Sequence, residues 1–343
     1  MGLRVLFQTR PDYLSNMAGD TIQLLKTKEY LEKLGVKIEI SVVPTSVKDF
    51  DIVHLFNTTR VKETYLYFIN AKMQQKPVAV STIYWDFSEY CTVKNSPANL
   101  YKNWMDSQAM RRSVFLGADM LLPNSRMEAD MIRRLHGATA PFHIVPNGVD
   151  SIFARGNPND FYKQHGLKDF ILCVGRINHR KNQLSLARAL KGCGLPLILA
   201  GPTNDAKYLR QCRREYPGLI VLQHLEHHHL PGLYAAARVH ALPSWFETPG
   251  LASLEAGLSG CSIVSTDRGS AMEYFSNMAH YCSPDSPESI RSAVLKAWST
   301  AGQPRSALKK HISENFLWEN AALETLCAYE KILAMSPNSS SNL

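Results

Sequence analysis

Short apolar runs alternate with amphipathic stretches along most of the chain. Residues 3–7 read as a strand. Over 21–34, Ile22, Leu25, Tyr30, Leu31 and Leu34 recur at helical spacing, and Gly35 closes the helix. Strands are predicted at 36–43, 51–56 and 78–83, with a helix over 61–76. Residues 104–116 read as one helix and 118–122 as a strand, Asn124-Ser125 caps a helix running to about 135, and 142–145 completes the half. A turn cluster follows, Pro146-Asn147-Gly148-Val149-Asp150, and 151–167, rich in Gly, Pro, Asn and Asp, reads as a linker. Beyond it strands fall at 170–174, 195–200, 219–222, 239–243, 261–265 and 280–282, and helices at 182–190, 207–216, 231–237, from 249 onward and at 287–301. Strand-helix-strand order of this kind predicts parallel sheets covered on both faces. The expectation is an α/β protein of two Rossmann-like, doubly wound domains, about 1–153 and 154–315. A final helix, about 316–335, is expected to pack back on the first domain, and 336–343 to form a disordered tail. Ligands of such sheets lie at the carboxyl ends of the strands, which nominates the loops 9–20, 57–60 and 84–90.

The 343 residues are 45% apolar, enough for two cores. No apolar run approaches the roughly 18 residues of a membrane span, and MGLRVLFQTRP enters a strand instead of a signal-peptide pattern, so a cytoplasmic site is expected. The seven cysteines are scattered, often inside apolar runs, and read as reduced thiols. A net charge of +8 suits an anionic partner. Nucleic acid is not expected, because the basic residues are spread thinly and without interleaved aromatics. Lys26, Lys28, Arg111, Arg112, Arg133 and Arg134 could rest on an anionic membrane, but with no insertion helix beside them a solvated helix face is the favoured account.

Two stretches carry candidate chemistry. In LPSWFETPGLASLEAGLSGCSIVSTDRGSAME, residues 242–273, Thr248 reads as an N-cap and Pro249 as the first helical residue. Gly250 and Leu251 then offer first-turn amides to an anion. Glu255 lies two turns in, roughly 10 Å from the helix mouth. Glu247 or Glu255 alone is unremarkable chemistry for a helix start or a helix face. Together, flanking phosphate-binding amides, they suit an elongated ligand with hydroxyls at both ends and phosphate between, such as a nucleotide sugar. The second stretch, Val174-Gly175-Arg176-Ile177-Asn178-His179-Arg180-Lys181-Asn182, puts three cations at a helix N-terminus, where the dipole disfavours them unless an anion sits among them.

FETPGLASLEA is similar to the Glu-x7-Glu signature of GT-B retaining glycosyltransferases of the family 4 type, and Gly-Arg-x4-Lys-Asn is similar to their diphosphate-binding element. The resemblance implies two Rossmann-like domains facing each other across a cleft, acceptor on the first and donor on the second. It implies transfer of a hexosyl group from a nucleotide diphosphate sugar to a hydroxyl, with retention. Catalytic roles then fall to Glu247, Arg176 and Lys181, and donor contacts to Gly19, Gly175, Arg176, Lys181, Glu247, Thr248, Gly250, Leu251 and Glu255, the last accepting from the ribose. The nucleotide sugar is a co-substrate, and neither a cofactor nor a metal is expected. The acceptor would be a saccharide, a lipid-linked glycan or another hydroxyl compound in polysaccharide, glycolipid or glycan assembly.

The sequence also departs from that pattern. Ala18-Gly19 stands where a glycine pair is usual, and Arg268-Gly269 replaces another pair in the segment, ending at Glu273, that resembles the one closing the donor pocket. Tyr84-Trp85-Asp86 occupies a position where many relatives carry histidine. Trp85 and Asp86 are therefore candidates for binding acceptor, although Tyr84, Trp85, Phe87 and Tyr90 could equally form an apolar cover. Asp20 reads as a helix N-cap, and Arg180 has no role to carry over. His224, His227, His228 and His229 read as a solvated loop, since consecutive side chains do not converge easily on one ion. A nucleotide-sugar epimerase on the same fold and a non-catalytic sugar-nucleotide-binding subunit remain alternatives.

Overall fold

The computed structural model describes residues 2–92, 99–223, 225–300 and 306–335; the tail expected to be disordered, 336–343, and His224 lie outside them. The chain divides into two units: Met1–Cys91, Pro97–Gly148 and Trp318–Leu343 make one, and Thr92–Ser96 with Val149–Leu317 the other.

The first part of the chain runs β1 (Arg4–Gln8), α1 (Gly19–Lys33), β2 (Lys37–Ser41), β3 (Ile52–Phe56), α2 (Val61–Met73), β4 (Val78–Ser81), α3 (Ser88–Thr92), α4 (Leu100–Asp106), α5 (Gln108–Gly117), β5 (Met120–Leu122) and α6 (Arg126–His136). Its parallel sheet has the order β2-β1-β3-β4-β5. β3 and β4 are buried along their whole length, as strands covered on both faces must be. The order reverses between β1 and β3, so the loops at their carboxyl ends form the switch point where such sheets hold ligands. The C-terminal helix Trp318–Met335 packs on α1 and β5. Its Tyr329 hydroxyl lies 2.6 Å from His54 Nδ1, while His54 Nε2 lies 2.9 Å from Ser81 Oγ. Burial pushes His54 down to about 3, so the ring is neutral and one nitrogen accepts.

Two expectations fail in this unit. The helix predicted over 104–116 is broken into α4 and α5 at Ser107, whose hydroxyl donates to the carbonyls of Asn103 (2.8 Å) and Trp104 (3.0 Å). A serine that bonds back in this way competes with the helical ladder. Residues 142–145 form no strand. Phe142 makes an isolated bridge to Leu121; the His143 and Val145 amides donate to the carbonyls of Leu121 and Pro123, but Pro123 lacks the amide that would continue the ladder.

The second unit continues with α7 (Pro158–His165), β6 (Ile171–Val174), α8 (Gln183–Ala189), β7 (Leu197–Ala200), α9 (Ala206–Glu215), β8 (Ile220–Leu222), α10 (Leu230–Ala236), β9 (Val239–Leu242), α11 (Leu251–Leu258), β10 (Ser262–Thr266), α12 (Ala271–Phe275), β11 (His280–Cys282), α13 (Pro287–Thr300) and α14 (Ser306–Asn315). The sheet is parallel, ordered β11-β10-β9-β6-β7-β8. Alternate residues feed two cores. Ile171, Cys173, Leu197 and Leu199 face one, and Leu172, Ile198 and Ala200 the other. Each fully buried Leu or Ile contributes about 1.5–3 kcal/mol. The segment expected as a linker belongs to this unit instead. Ser151–Arg155 is a 3-10 helix, Asn157 caps α7, and Phe153 and Phe161 are buried in the core; the polar residues that suggested a linker are caps and turns around these two anchors.

Candidate active site

In the second unit the strand order reverses between β6 and β9, which makes the loops after those strands its switch point. The loop after β6 turns at Gly175 (φ 145°), and it lies so close to the loop after β7 that a Cβ on Gly201 would sit 2.4 Å from the Gly175 carbonyl oxygen. Gln183 Nε2 donates to the Arg176 carbonyl (3.0 Å). The Asn178 side chain accepts from the Lys181 amide (3.0 Å) and starts a 3-10 turn, His179–Lys181. Asn182 then anchors the loop, donating to the carbonyls of Pro243 (3.0 Å) and Pro284 (2.7 Å). The Trp245 amide donates to the Arg180 carbonyl at 2.9 Å, which joins this loop to the one after β9.

These anchors bring Lys181 to Glu247. Their Nζ and Oε1 atoms are 2.5 Å apart, with 14% and 5% of the side chains exposed. Burial opposes ionisation of Glu247, but Lys181 and then Arg180 outweigh it and hold the carboxyl below its ordinary range. Burial lowers the Lys181 pKa as well. Glu247 is also fixed through its backbone: its amide donates to the Arg268 carbonyl (3.2 Å) and its carbonyl accepts from the Ser270 amide (2.9 Å). The residue between, Gly269, has φ 114°, and a Cβ there would lie 2.0 Å from the Glu247 carbonyl oxygen. One glycine of the altered pair is therefore demanded by geometry. Arg268 is not: it donates to Ser283 Oγ and pairs with Asp285.

The helix carrying Glu255 begins later than expected. The Thr248-Pro249 peptide is cis, Gly250 at φ 93° is the N-cap, and α11 starts at Leu251. Thr248 is thus not the cap, because the chain needs the left-handed turn at Gly250 before it can enter the helix. The Ser253 and Leu254 amides are taken by the Gly250 carbonyl, leaving those of Leu251 and Ala252 at the helix mouth. A Cβ on Gly250 would stand 3.2 Å from Glu247 Oε2, so the second carboxylate oxygen of the ion pair faces this turn. Glu255 is then about 6 Å along the axis from Leu251, not 10 Å. Its Oε2 accepts from the Tyr234 hydroxyl at 2.8 Å. Burial pushes its carboxyl up to about 7; the Tyr234 bond pulls it down and Asp150 pushes it up.

Of the candidates in the first unit, Gly19 ends the loop after β1, at that unit's switch point, whereas Trp85 and Asp86 follow β4, the next strand along. Gly19 opens α1. Asp20 does not cap that helix: its carboxylate takes Arg10 (2.7 and 3.1 Å) and Asn57 Nδ2 (2.8 Å). Asp86 Oδ1 accepts from the amide (3.0 Å) and hydroxyl (2.7 Å) of Ser88 at the start of α3, and Trp85 beside it is half-buried. Tyr84 and Tyr90 are buried, and Phe87 stacks on Trp104 at 4.7 Å, which favours the apolar-cover reading for these three.

Several residues escaped the sequence reading. Glu128 is fully buried and receives Thr82 Oγ1, the Tyr84 amide (2.7 Å) and the Asn124 amide (2.9 Å); the Ser125-x-x-Glu128 capping-box spacing was the available signal. Arg111, counted among surface cations, is buried and donates to the carbonyls of Thr58 and Thr59 in the loop after β3 and of Trp104 at the helix break. Lys26 and Lys28 pair with Glu29 and Glu32 on α1. Among the described residues, no group of three or more His, Cys, Asp or Glu could hold a metal ion, and no helix is long and apolar enough to cross a membrane. His227–His229 forms a 3-10 turn.

Residues 168–300 match the family model described as glycosyl transferases group 1. The chain is 28% identical over 191 residues to an uncharacterised glycosyltransferase of Methanocaldococcus jannaschii, covering 51% of this chain and 49% of that protein. It is 25% identical over 277 residues to the glycogen synthase of Mycobacterium tuberculosis, covering 74% and 65%. The chain thus spans about half to two thirds of the length of these curated relatives. Among solved structures it superposes on a sucrose-phosphate synthase from Thermosynechococcus elongatus with a TM-score of 0.83 at 16% identity, covering 97% of this chain and 100% of that one. Anabaena HepE in complex with UDP and glucose gives 0.72 at 16% identity, covering 96% and 100%. Residues 168–300 are thus similar to the glycosyl transferases group 1 family, and the chain has the GT-B fold.

Proposed function

We propose that this chain is a retaining hexosyltransferase that uses a nucleotide diphosphate sugar as donor and a hydroxyl compound as acceptor. The observation that carries the reading is the buried Lys181–Glu247 pair at the β6/β9 switch point, beside the mouth of the helix that bears Glu255. The match of residues 168–300 to the glycosyl transferases group 1 family supports a glycosyltransferase, and the UDP and glucose of HepE support a nucleotide-linked donor.

In this reading the ribose diol binds Glu255, and the diphosphate lies on the amides of Leu251 and Ala252, with Gly175, Thr248 and Gly250 shaping the turns around it. Glu247 orients the sugar hydroxyls. As the bond from the anomeric carbon to phosphate oxygen breaks, Arg176 and Lys181 stabilise the charge that grows on the diphosphate. The acceptor oxygen attacks from the same face, and its proton passes to the departing phosphate oxygen. Arg176, Lys181 and a helix end would supply the neutralisation a metal would otherwise give, so the reaction is proposed to need none. Gly19 is assigned to the donor, and Trp85 and Asp86 to a saccharide or lipid-linked acceptor.

A thermal-shift screen across nucleotide sugars tests the binding half, since a ligand of the folded state raises the melting temperature. NMR of the transfer product then reads the anomeric configuration. Inversion would overturn the retaining mechanism. Conversion of donor to an epimer without acceptor would establish an epimerase, and tight donor binding without turnover on a broad acceptor panel a non-catalytic subunit.

A further inference from the structure

Glu255 is held from behind. The Tyr234 side chain that donates to its Oε2 has no exposed surface and sits on α10, against the helix that carries the glutamate. Its ring meets Phe153 and His240 edge-on, both at 5.8 Å. Its carbonyl accepts from Cys261 Sγ at 3.0 Å. A phenol fixed at ring and backbone cannot follow a moving carboxylate; the carboxylate must come to it. Glu255 itself is half-buried, and its Oε1 makes no hydrogen bond among the described residues. A carboxylate has room for about four donors, so one oxygen is engaged and the other is presented.

We propose that Tyr234 is a positioning residue, whose hydroxyl fixes the Glu255 carboxylate so that Oε1 meets the vicinal diol of the donor's ribose. This rests on the reading of Glu255 as the ribose ligand. A consequence for pH follows from the groups that act on the glutamate. Burial holds its pKa near 7, the Tyr234 bond from α10 draws it down, and Asp150, in the turn before the 3-10 helix, raises it. Ionised carboxylate is the stronger acceptor of hydroxyl hydrogens. Donor binding should therefore weaken as pH falls through 7, and removing the phenol oxygen should move that midpoint upward.

The experiment is calorimetric titration of UDP, ADP and GDP, without sugar, into wild type, Tyr234→Phe, Glu255→Gln and the double variant between pH 6 and 8.5. For whichever nucleotide binds, Tyr234→Phe should weaken affinity about five- to twentyfold at pH 7.5 and raise the midpoint. Glu255→Gln should abolish the midpoint, and adding Tyr234→Phe to it should cost less than about twofold, since the partner is already gone. Glu255→Asp, which keeps the charge but withdraws it from the phenol by one methylene, should reproduce the raised midpoint even if Tyr234→Phe does not fold. A Tyr234→Phe protein with wild-type affinity and midpoint would overturn the proposal, as would an equal loss in the Glu255→Gln background. If Glu255→Gln binds as tightly as wild type at every pH, the ribose reading itself falls, and this inference with it.

Discussion

Lys181 Nζ lies 2.5 Å from Glu247 Oε1, although the two residues are 66 positions apart and stand on different loops of the second unit. Each charge is buried because the other is. Lys181→Met would leave the carboxylate without its main compensation, a loss of about 3 kcal/mol. Glu247→Gln would do the reverse to the ammonium. The double variant should recover most of that stability while both singles and the double lose transfer by at least about a hundredfold. Urea unfolding alongside initial rates checks this. Equal stability of the double variant and the worse single would mean that the pair is not the unit that matters.

Gly269 and Gly260 provide a matched comparison. Both hold positive φ, 114° and 96°, but a Cβ on Gly260 meets nothing within 4 Å, whereas one on Gly269 would overlap the Glu247 backbone. Gly260→Ala should cost about 1–2 kcal/mol in backbone strain and leave transfer within about twofold. Gly269→Ala should cost more and displace Glu247, reducing kcat by at least about tenfold. Thermal melts and kcat for the two variants distinguish site geometry from generic strain.

What could be read in advance follows from where each interaction is stored. Strand-helix alternation and the two motifs are written in neighbouring residues, so both parallel sheets and the nearness of the Gly175–Lys181 loop to Glu247 were within reach of the sequence, though not the ion pair itself. The start of α11 was not. Thr248-Pro249 is a standard helix opening, and only the approach of Gly250 to Glu247 Oε2 and Leu242 shows why the chain turns once more before entering it. Ser107 hides a helix break behind unbroken helical periodicity. Tyr234 meets Glu255 through the packing of two helices, and no local pattern records a contact 21 residues away. Arg111 and Arg10 were illegible for another reason: fully buried arginines are rare, so surface is the default assignment for them.

Glu255 gives the pH behaviour of the free protein a definite sign. Its folded pKa, about 7, lies above the ordinary 4.5, so the folded state binds more protons than the unfolded chain between those values. The group's contribution is most favourable below 4.5 and is lost as pH climbs through 7. Glu255→Gln should therefore stabilise the ligand-free protein at pH 8, by about 1–3 kcal/mol, and have little effect near pH 4.5. Glu247 works in the opposite sense. Its pKa is depressed, and the stability it provides above the ordinary glutamate range is lost on acidification. Melting temperatures of Glu255→Gln and wild type from pH 5 to 8 would test this. Parallel curves would show that burial does not penalise the charge.

Arg10 organises the loop that leads from β1 to Gly19. With 3% of its side chain exposed, its Nε donates to Asp20 Oδ2 (2.7 Å), one terminal nitrogen to the Asp12 carbonyl (3.0 Å) and Oδ1 (2.9 Å), and the other to the Asn16 carbonyl (2.8 Å), Asp20 Oδ1 (3.1 Å) and Thr21 Oγ1 (2.9 Å). This fan of bonds uses the planar fork of a guanidinium, which an ammonium cannot reproduce. Arg10→Lys should therefore lose about 2–4 kcal/mol despite keeping the charge. Asp20→Asn should lose a similar amount, because Asn57 Nδ2 also donates to that carboxylate. Arg60 pairs with the same Asp12 but is 42% exposed, so Arg60→Gln should cost less than about 1 kcal/mol. Gly19 follows this loop as the first residue of α1, so on the reading that assigns it to the donor, Arg10→Lys should also raise the donor KM more than Arg60→Gln does. Urea midpoints and donor saturation curves for the three variants give both readings, and equal losses for Arg10→Lys and Arg60→Gln would mean that the buried fork is not what sets the loop.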